Sequence, residues 1–155
     1  MAEDARFEDG VEQPVAMKAL DADDLRVISA LVQDAVFPIV EMIWDRPRRR
    51  FAVLLNRFRW EDRGRGDVPE RVQSVLMFED AMAVASQGVD RADRDMVLSL
   101  LALEWIPGKD GMGRVTLVLA GDGAVAVEVE ALEVTLKDVT RPYIAPSKKV
   151  PEHPE

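Results

Sequence analysis

The chain has 155 residues, 48% of them apolar, a formal net charge of −9, no cysteine, and one histidine, His153, two residues before the C-terminal residue. Without thiols, and with its only imidazole in the tail, it offers no thiolate nucleophile, no usual zinc or iron–sulfur ligand set, no Ser-His-Asp triad and no histidine base held inside a fold. A chain of this length buries roughly 68–70% of its unfolded surface, which is enough for one domain with its own core.

Residues 1 to 14 hold charge and small side chains without apolar periodicity and read as a disordered lead. They lack the basic and apolar regions of a signal peptide, and no apolar run approaches the roughly 20 residues of a membrane span, so a cytoplasmic protein away from membranes is expected. A globular domain over 15–140 follows, then a tail over 141–155 with four prolines, at 142, 146, 151 and 154. A short strand is predicted at Val15 to Ala19. The spacing of Leu25, Ile28, Leu31, Val32 and Ala35 predicts an amphipathic helix over 22–35, with Asp21 as N-cap, Asp24 at the capping-box position and Pro38 as the stop.

Everything after Pro38 reads as strand and turn. Strands are predicted at Ile39 to Trp44, Phe51 to Trp60, Val72 to Ser86 with a bend near Glu79-Asp80, Val97 to Ile106, Arg114 to Ala120 and Ala124 to Leu136. The connectors carry Arg46-Pro47, Gly64-Arg65-Gly66, Pro107-Gly108, Gly111-Met112-Gly113 and Gly121-Asp122-Gly123, and Asp122-Gly123 marks a tight hairpin. Val125, Val127 and Val129 alternate inward against Ala126, Glu128 and Glu130. The parity flips at Ala131-Leu132, as at a bulge or a change of sheet. Apolar residues on both parities of 97–106 predict a central strand covered on both faces. The expected class is α+β: one N-terminal amphipathic helix packed on a curved, mostly antiparallel sheet or half-barrel of six or more strands.

Charge is unevenly distributed. Residues 46–71 hold nine arginines against four acids, a local excess of five positive charges that leaves −14 on the rest. The Arg46-Pro47-Arg48-Arg49-Arg50 turn, with Arg57 and Arg59 on the following strand and Trp60 at its end, is the candidate binding site for a protein partner or an anion, because guanidinium groups bind phosphate and carboxylate in bidentate fashion. The competing reading is a solvated tip whose arginines pair with acids across the molecule. Asn56 needs partners wherever its apolar strand is buried, and Trp44, Trp60 and Trp105 read as core or sheet-edge packing. Glu128 and Glu130, about 7 Å apart on one strand face, resemble half of a metal or acid/base pair and lack a third ligand. Asp90, Asp93 and Asp95 fall short of a Ca²⁺ loop, since arginines interleave them and no distal Glu follows. No glycine pattern matches a nucleotide fingerprint, and no cofactor or metal is expected.

Read together, Leu20-Asp21-Ala22-Asp23-Asp24-Leu25, Ser29 to Ala35, Leu55-Asn56-Arg57-Phe58-Arg59-Trp60, Val97 to Leu101 and Ala120-Gly121-Asp122-Gly123-Ala124 resemble the alphaproteobacterial domain-of-unknown-function family 2948. The resemblance spans about residues 15 to 140. It implies a small cytoplasmic bacterial protein and carries no catalytic residue onto this chain.

The leading functional expectation is a non-catalytic protein-binding or self-assembly module, homo-oligomeric or docked to another protein. The alternatives are an anion or nucleic-acid binder through Arg46, Arg48, Arg49, Arg50, Arg57 and Arg59, and a carboxylate- or metal-assisted enzyme around Glu128 and Glu130.

Overall fold

The computed structural model describes residues 14–59, 70–140 and 143–144. Trp60, the Gly64 to Gly66 connector, His153, the lead before residue 14 and most of the tail lie outside the described residues. The strands are β1 (Ala16–Ala19), β2 (Val36–Pro38), β3 (Met42–Asp45), β4 (Arg50–Phe58), β5 (Glu70–Phe78), β6 (Ala81–Gln87), β7 (Val97–Pro107), β8 (Gly113–Leu119), β9 (Ala124–Val129), β10 (Val134–Asp138) and β11 (Tyr143–Ile144), with one α-helix, α1 (Ala22–Leu31). They form one sheet in the order β1-β10-β5-β4-β2-β7-β8-β9-β6, with β3 added to β4 and β11 to β5. Every pairing among the described residues is antiparallel. The described residues are therefore a mostly antiparallel sheet carrying one α-helix, and no described helix is long and apolar enough to cross a membrane.

The helix begins where its sequence says. The Asp21 side chain accepts the Asp24 N–H at 2.8 Å, and Leu25 and Ile28 turn inward. It ends at Leu31, one turn short of the expected residue 35. Asp34 takes a left-handed φ of 65°, and its N–H donates to the Leu100 carbonyl, whose own N–H donates to the Ala35 carbonyl, each at 2.8 Å. Sheet hydrogen bonds thus replace helical ones. Val32 and Ala35 keep the burial that the periodicity assigned them, but beyond the helix. Pro38 ends no helix; it closes β2, and the run expected to be a strand from Ile39 opens with a 3₁₀ turn over Ile39–Glu41.

The long run expected over 72–86 is two strands broken at Asp80, which has φ 55°. β5 pairs with β4 and β10, whereas β6 pairs with β9. The parity flip after Val129 has the same origin: β9 pairs with β8 and β6, and β10 with β5 and β1. At the junction Glu79 N–H donates to the Glu133 carbonyl at 3.0 Å and Glu130 N–H to the Asp80 carbonyl at 2.9 Å. Two segments thus cross together from one part of the sheet to another.

β7 is central in the order but is not covered on both faces. A register shift between Leu100 and Ala102 moves the buried parity from Leu98 and Leu100 to Leu103. Apolar residues on both parities therefore record a bulge, and Val97 and Ile106 are exposed. The hairpin after β8 turns one residue earlier than expected, with φ 78° at Gly121 and 68° at Asp122. That pair of positive angles matches the right-handed strand twist.

Candidate functional site

Along β4 the inward parity runs Phe51, Val53, Leu55 and Arg57, and Arg59 just past its end continues it, all buried. Arg57 has no solvent exposure and its guanidinium forks onto Asp138, with Nη2 to Oδ2 at 2.9 Å and Nε to Oδ1 at 3.1 Å. The Ser74 hydroxyl donates to Asp138 Oδ1 at 2.6 Å, and the Val15 N–H donates to Oδ2 at 2.9 Å. Burial pushes the Asp138 carboxyl up, but these hydrogen bonds and the Arg57 charge together outweigh it and hold it below its ordinary value of 3.8. This cluster ties β4, β5 and β10 to the start of β1. Arg59 reaches Glu70 at 3.1 Å with its own side chain 3% exposed. Arg57 and Arg59 therefore sit among core side chains, on a different surface from the hairpin tip that precedes them in sequence.

The tip itself is a tight turn. Pro47 pre-sets φ at its second position, Arg49 N–H donates to the Arg46 carbonyl at 3.0 Å, and Arg49 adopts φ 56°. Three of its arginines meet acids: Arg48 meets Asp45 at 3.5 Å, Arg49 meets Glu130 at 2.6 Å and Arg50 meets Glu79 at 3.0 Å. The last two fasten the hairpin to the junction where β5 gives way to β6. Glu128 pairs with Arg114 at 2.5 Å, so the two glutamates face separate arginines. Among the described residues no group of three or more His, Cys, Asp or Glu is placed to hold a metal ion.

Arg46 is placed differently. It makes no ion pair with a described residue and lines a cavity of about 380 Å³ between the β3–β4 hairpin and β6. Ile39, Met42, Trp44, Phe51, Val84 and Val125 supply its apolar lining. Arg91 and Arg94, from the loop after β6, line it too, and they also make no ion pair with a described residue. Their acidic neighbours are engaged with the loop backbone: Asp90 accepts the Ala92 N–H at 3.0 Å and Asp93 the Asp95 N–H at 3.3 Å. The cavity continues along the strand edge into an opening lined by Trp44, Arg46, Arg49 and residues 81–84. Sequence reasoning found Arg46 and missed Arg91 and Arg94, since nothing local in Asp-Arg-Ala-Asp-Arg-Asp reveals which cavity they reach.

This groove is bordered by an open strand edge. Among the described residues β6 pairs only with β9. The Leu119 N–H bonds the Gly123 carbonyl, which fixes the alternation of the β8–β9 ladder and leaves Ala124, Ala126 and Glu128 bonding toward β6. Their partners are Gln87, Ala85 and Ala83. The backbone groups of Val84 and Ser86 therefore point to the free edge. Lower on that edge, before the bulge at Met82, the Ala81 N–H is taken by the Arg49 carbonyl at 2.9 Å. The hairpin tip closes the bottom of the edge and leaves its upper part open.

A family model described as Protein of unknown function (DUF2948) matches residues 15–153, most of the chain. The chain belongs to the DUF2948 family. The match takes in every described strand, so the groove is built wholly from the DUF2948 region. Comparison with curated proteins and with solved structures gave no match.

Proposed function

We propose that this DUF2948 chain is a non-catalytic protein-binding module, and that it holds an extended segment of its partner in the groove between β3 and β6. The observation that carries this reading is the open upper edge of β6, whose Val84 and Ser86 backbone groups border a cavity lined by both apolar side chains and arginines. An extended segment adding to such an edge draws affinity from main-chain hydrogen bonds and selectivity from the side chains of alternate residues. β6 carries no charge and no proline over Ala81–Gln87, and above its bulge at Met82 no described strand covers the edge. The reading takes the sheet as a half-barrel with its amphipathic helix packed on it, and a cytoplasmic setting in which the partner is another protein or a second copy.

Arg46 belongs to this surface together with Trp44. Arg48, Arg49 and Arg50 frame it, and Arg57 and Arg59 serve the interior. Nucleic acid fits less well, because phosphates following the groove would meet a chain of net charge −9 whose tip arginines are already paired.

Photo-crosslinking tests the reading. A benzophenone side chain at Met82 is expected to yield a discrete protein adduct in cell extract, diminished by Ser86→Pro. The same probe at exposed Val27 on α1 should yield none. An adduct at twice the chain mass would identify the partner as a second copy; equal labelling from both positions would refute the groove as the binding surface.

A further inference from the structure

We propose that the segment held in this groove is acidic, with an apolar side chain and a carboxylate two residues apart; this rests on the docking reading above and names its ligand chemistry. Val84 and Ser86 line the same cavity from one face of β6. Residues two apart on a strand are separated by about 7 Å, and an added strand repeats that spacing whichever way it runs. Ser86 is nearer in sequence than Val84 to the loop bearing Arg91 and Arg94, whereas Val84 also lines the neighbouring opening with Trp44, Arg46 and Arg49. A bound side chain level with Val84 therefore meets Trp44 and the apolar side chains with Arg46 beside them, and one level with Ser86 lies toward the guanidinium groups of Arg91 and Arg94.

Charge complementarity decides the sign. Most arginines of the described residues are matched internally: Arg26 with Asp23, Arg48 with Asp45, Arg49 with Glu130, Arg50 with Glu79, Arg57 with Asp138, Arg59 with Glu70 and Arg114 with Glu128. Arg46, Arg91 and Arg94 make no ion pair with a described residue and line one cavity, in a chain with 29 acids against 20 basic residues. Three cations without a described acidic partner around one cavity disfavour a basic or neutral occupant through repulsion or uncompensated desolvation, and favour a carboxylate that accepts their hydrogen bonds.

The test is selection of peptides from a randomised display library on the full-length protein at low salt. Wild type is expected to enrich sequences with a large apolar residue and Asp or Glu two positions apart. Arg91→Glu/Arg94→Glu should keep the apolar preference and replace the acid with Lys or Arg. Arg91→Gln/Arg94→Gln, a milder change should the reversal impair folding, should keep the apolar preference and lose the acidic one. In a selected peptide, exchange of the acid for its amide should raise Kd about tenfold, equivalent to about 1.4 kcal/mol. Peptides that bind wild type in a manner sensitive to Ser86→Pro, yet show no acidic position, would overturn this inference and leave the docking reading standing. Selection of no peptide, or of peptides indifferent to Ser86→Pro, would overturn both.

Discussion

Arg57 places a permanent charge where the surrounding strand places Val53 and Leu55, and it is tolerated there because Asp138, Ser74 and the Val15 amide meet one another around it. Breaking one side of such a pair strands the other charge in the interior. Arg57→Met is therefore expected to cost about 3–5 kcal/mol in urea unfolding, while Arg57→Met/Ser74→Ala/Asp138→Leu, which removes the polar cluster together, should recover much of that loss. A single variant as stable as wild type would contradict this role. The Asp138 carboxyl titrates lower in the folded protein than in the unfolded chain. Its stabilising contribution is thus present above the unfolded value and lost as pH falls through the folded one. Asp138→Asn should flatten the acid limb of stability against pH, and an unchanged slope would show that other carboxyls govern it. The sequence displayed Arg57 and Arg59 plainly but not their direction, because the alternating positions from Phe51 through β4 to Arg59 read as three apolar residues followed by two arginines. Only Asp138, 81 residues from Arg57, and Glu70, the partner of Arg59, show that the last two also belong inside.

At the scale of elements, hydrogen bonds between distant segments decided most of what the pattern left open. The start of α1 was legible from Asp21 and Asp24, since a cap acts within one turn. Its end was not, because Leu100 captures the backbone at Asp34 and Ala35. The bend near Glu79-Asp80 and the parity flip after Val129 were both readable. That they form one junction was not, since strand pairing across the molecule leaves no local mark. Close approach has a sharper consequence at Gly113, where β8 begins against β7. A Cβ there would lie 2.6 Å from the Ile106 carbonyl oxygen and would also strike the Trp105 ring. Gly113→Ala is expected to destabilise the protein by about 1–3 kcal/mol as the backbones are forced apart, measurable as a lowered unfolding midpoint. The edge of β6 behaves in the opposite way. Ser86→Pro removes an N–H that no β9 carbonyl uses, so it should leave stability nearly unchanged while abolishing docking.

Across the whole molecule, the nine arginines of residues 46–71 form one basic run in sequence, and the described ones divide between the interior, the fastened hairpin tip and the groove, with Arg71 half-buried over the Phe58 ring. Charge counting along the chain cannot distinguish these three settings. Of the candidate site, the sequence showed Arg46 and left Arg91 and Arg94 unrecognised, because convergence from separate loops is a property of the fold. The exposed groove arginines are screened by salt, whereas the buried Arg57–Asp138 pair is not. Raising ionic strength should therefore weaken docking of an acidic peptide with little change in unfolding free energy, and equal binding at low and high salt would contradict a charge-selected groove. The most direct measurement is amide hydrogen exchange along β6 with and without a peptide selected on the protein. The account predicts slowed exchange at Val84 and Ser86, whose N–H groups gain a strand partner, with Ala83, Ala85 and Gln87 little altered. Tight binding that leaves Val84 and Ser86 exchanging as before would contradict it.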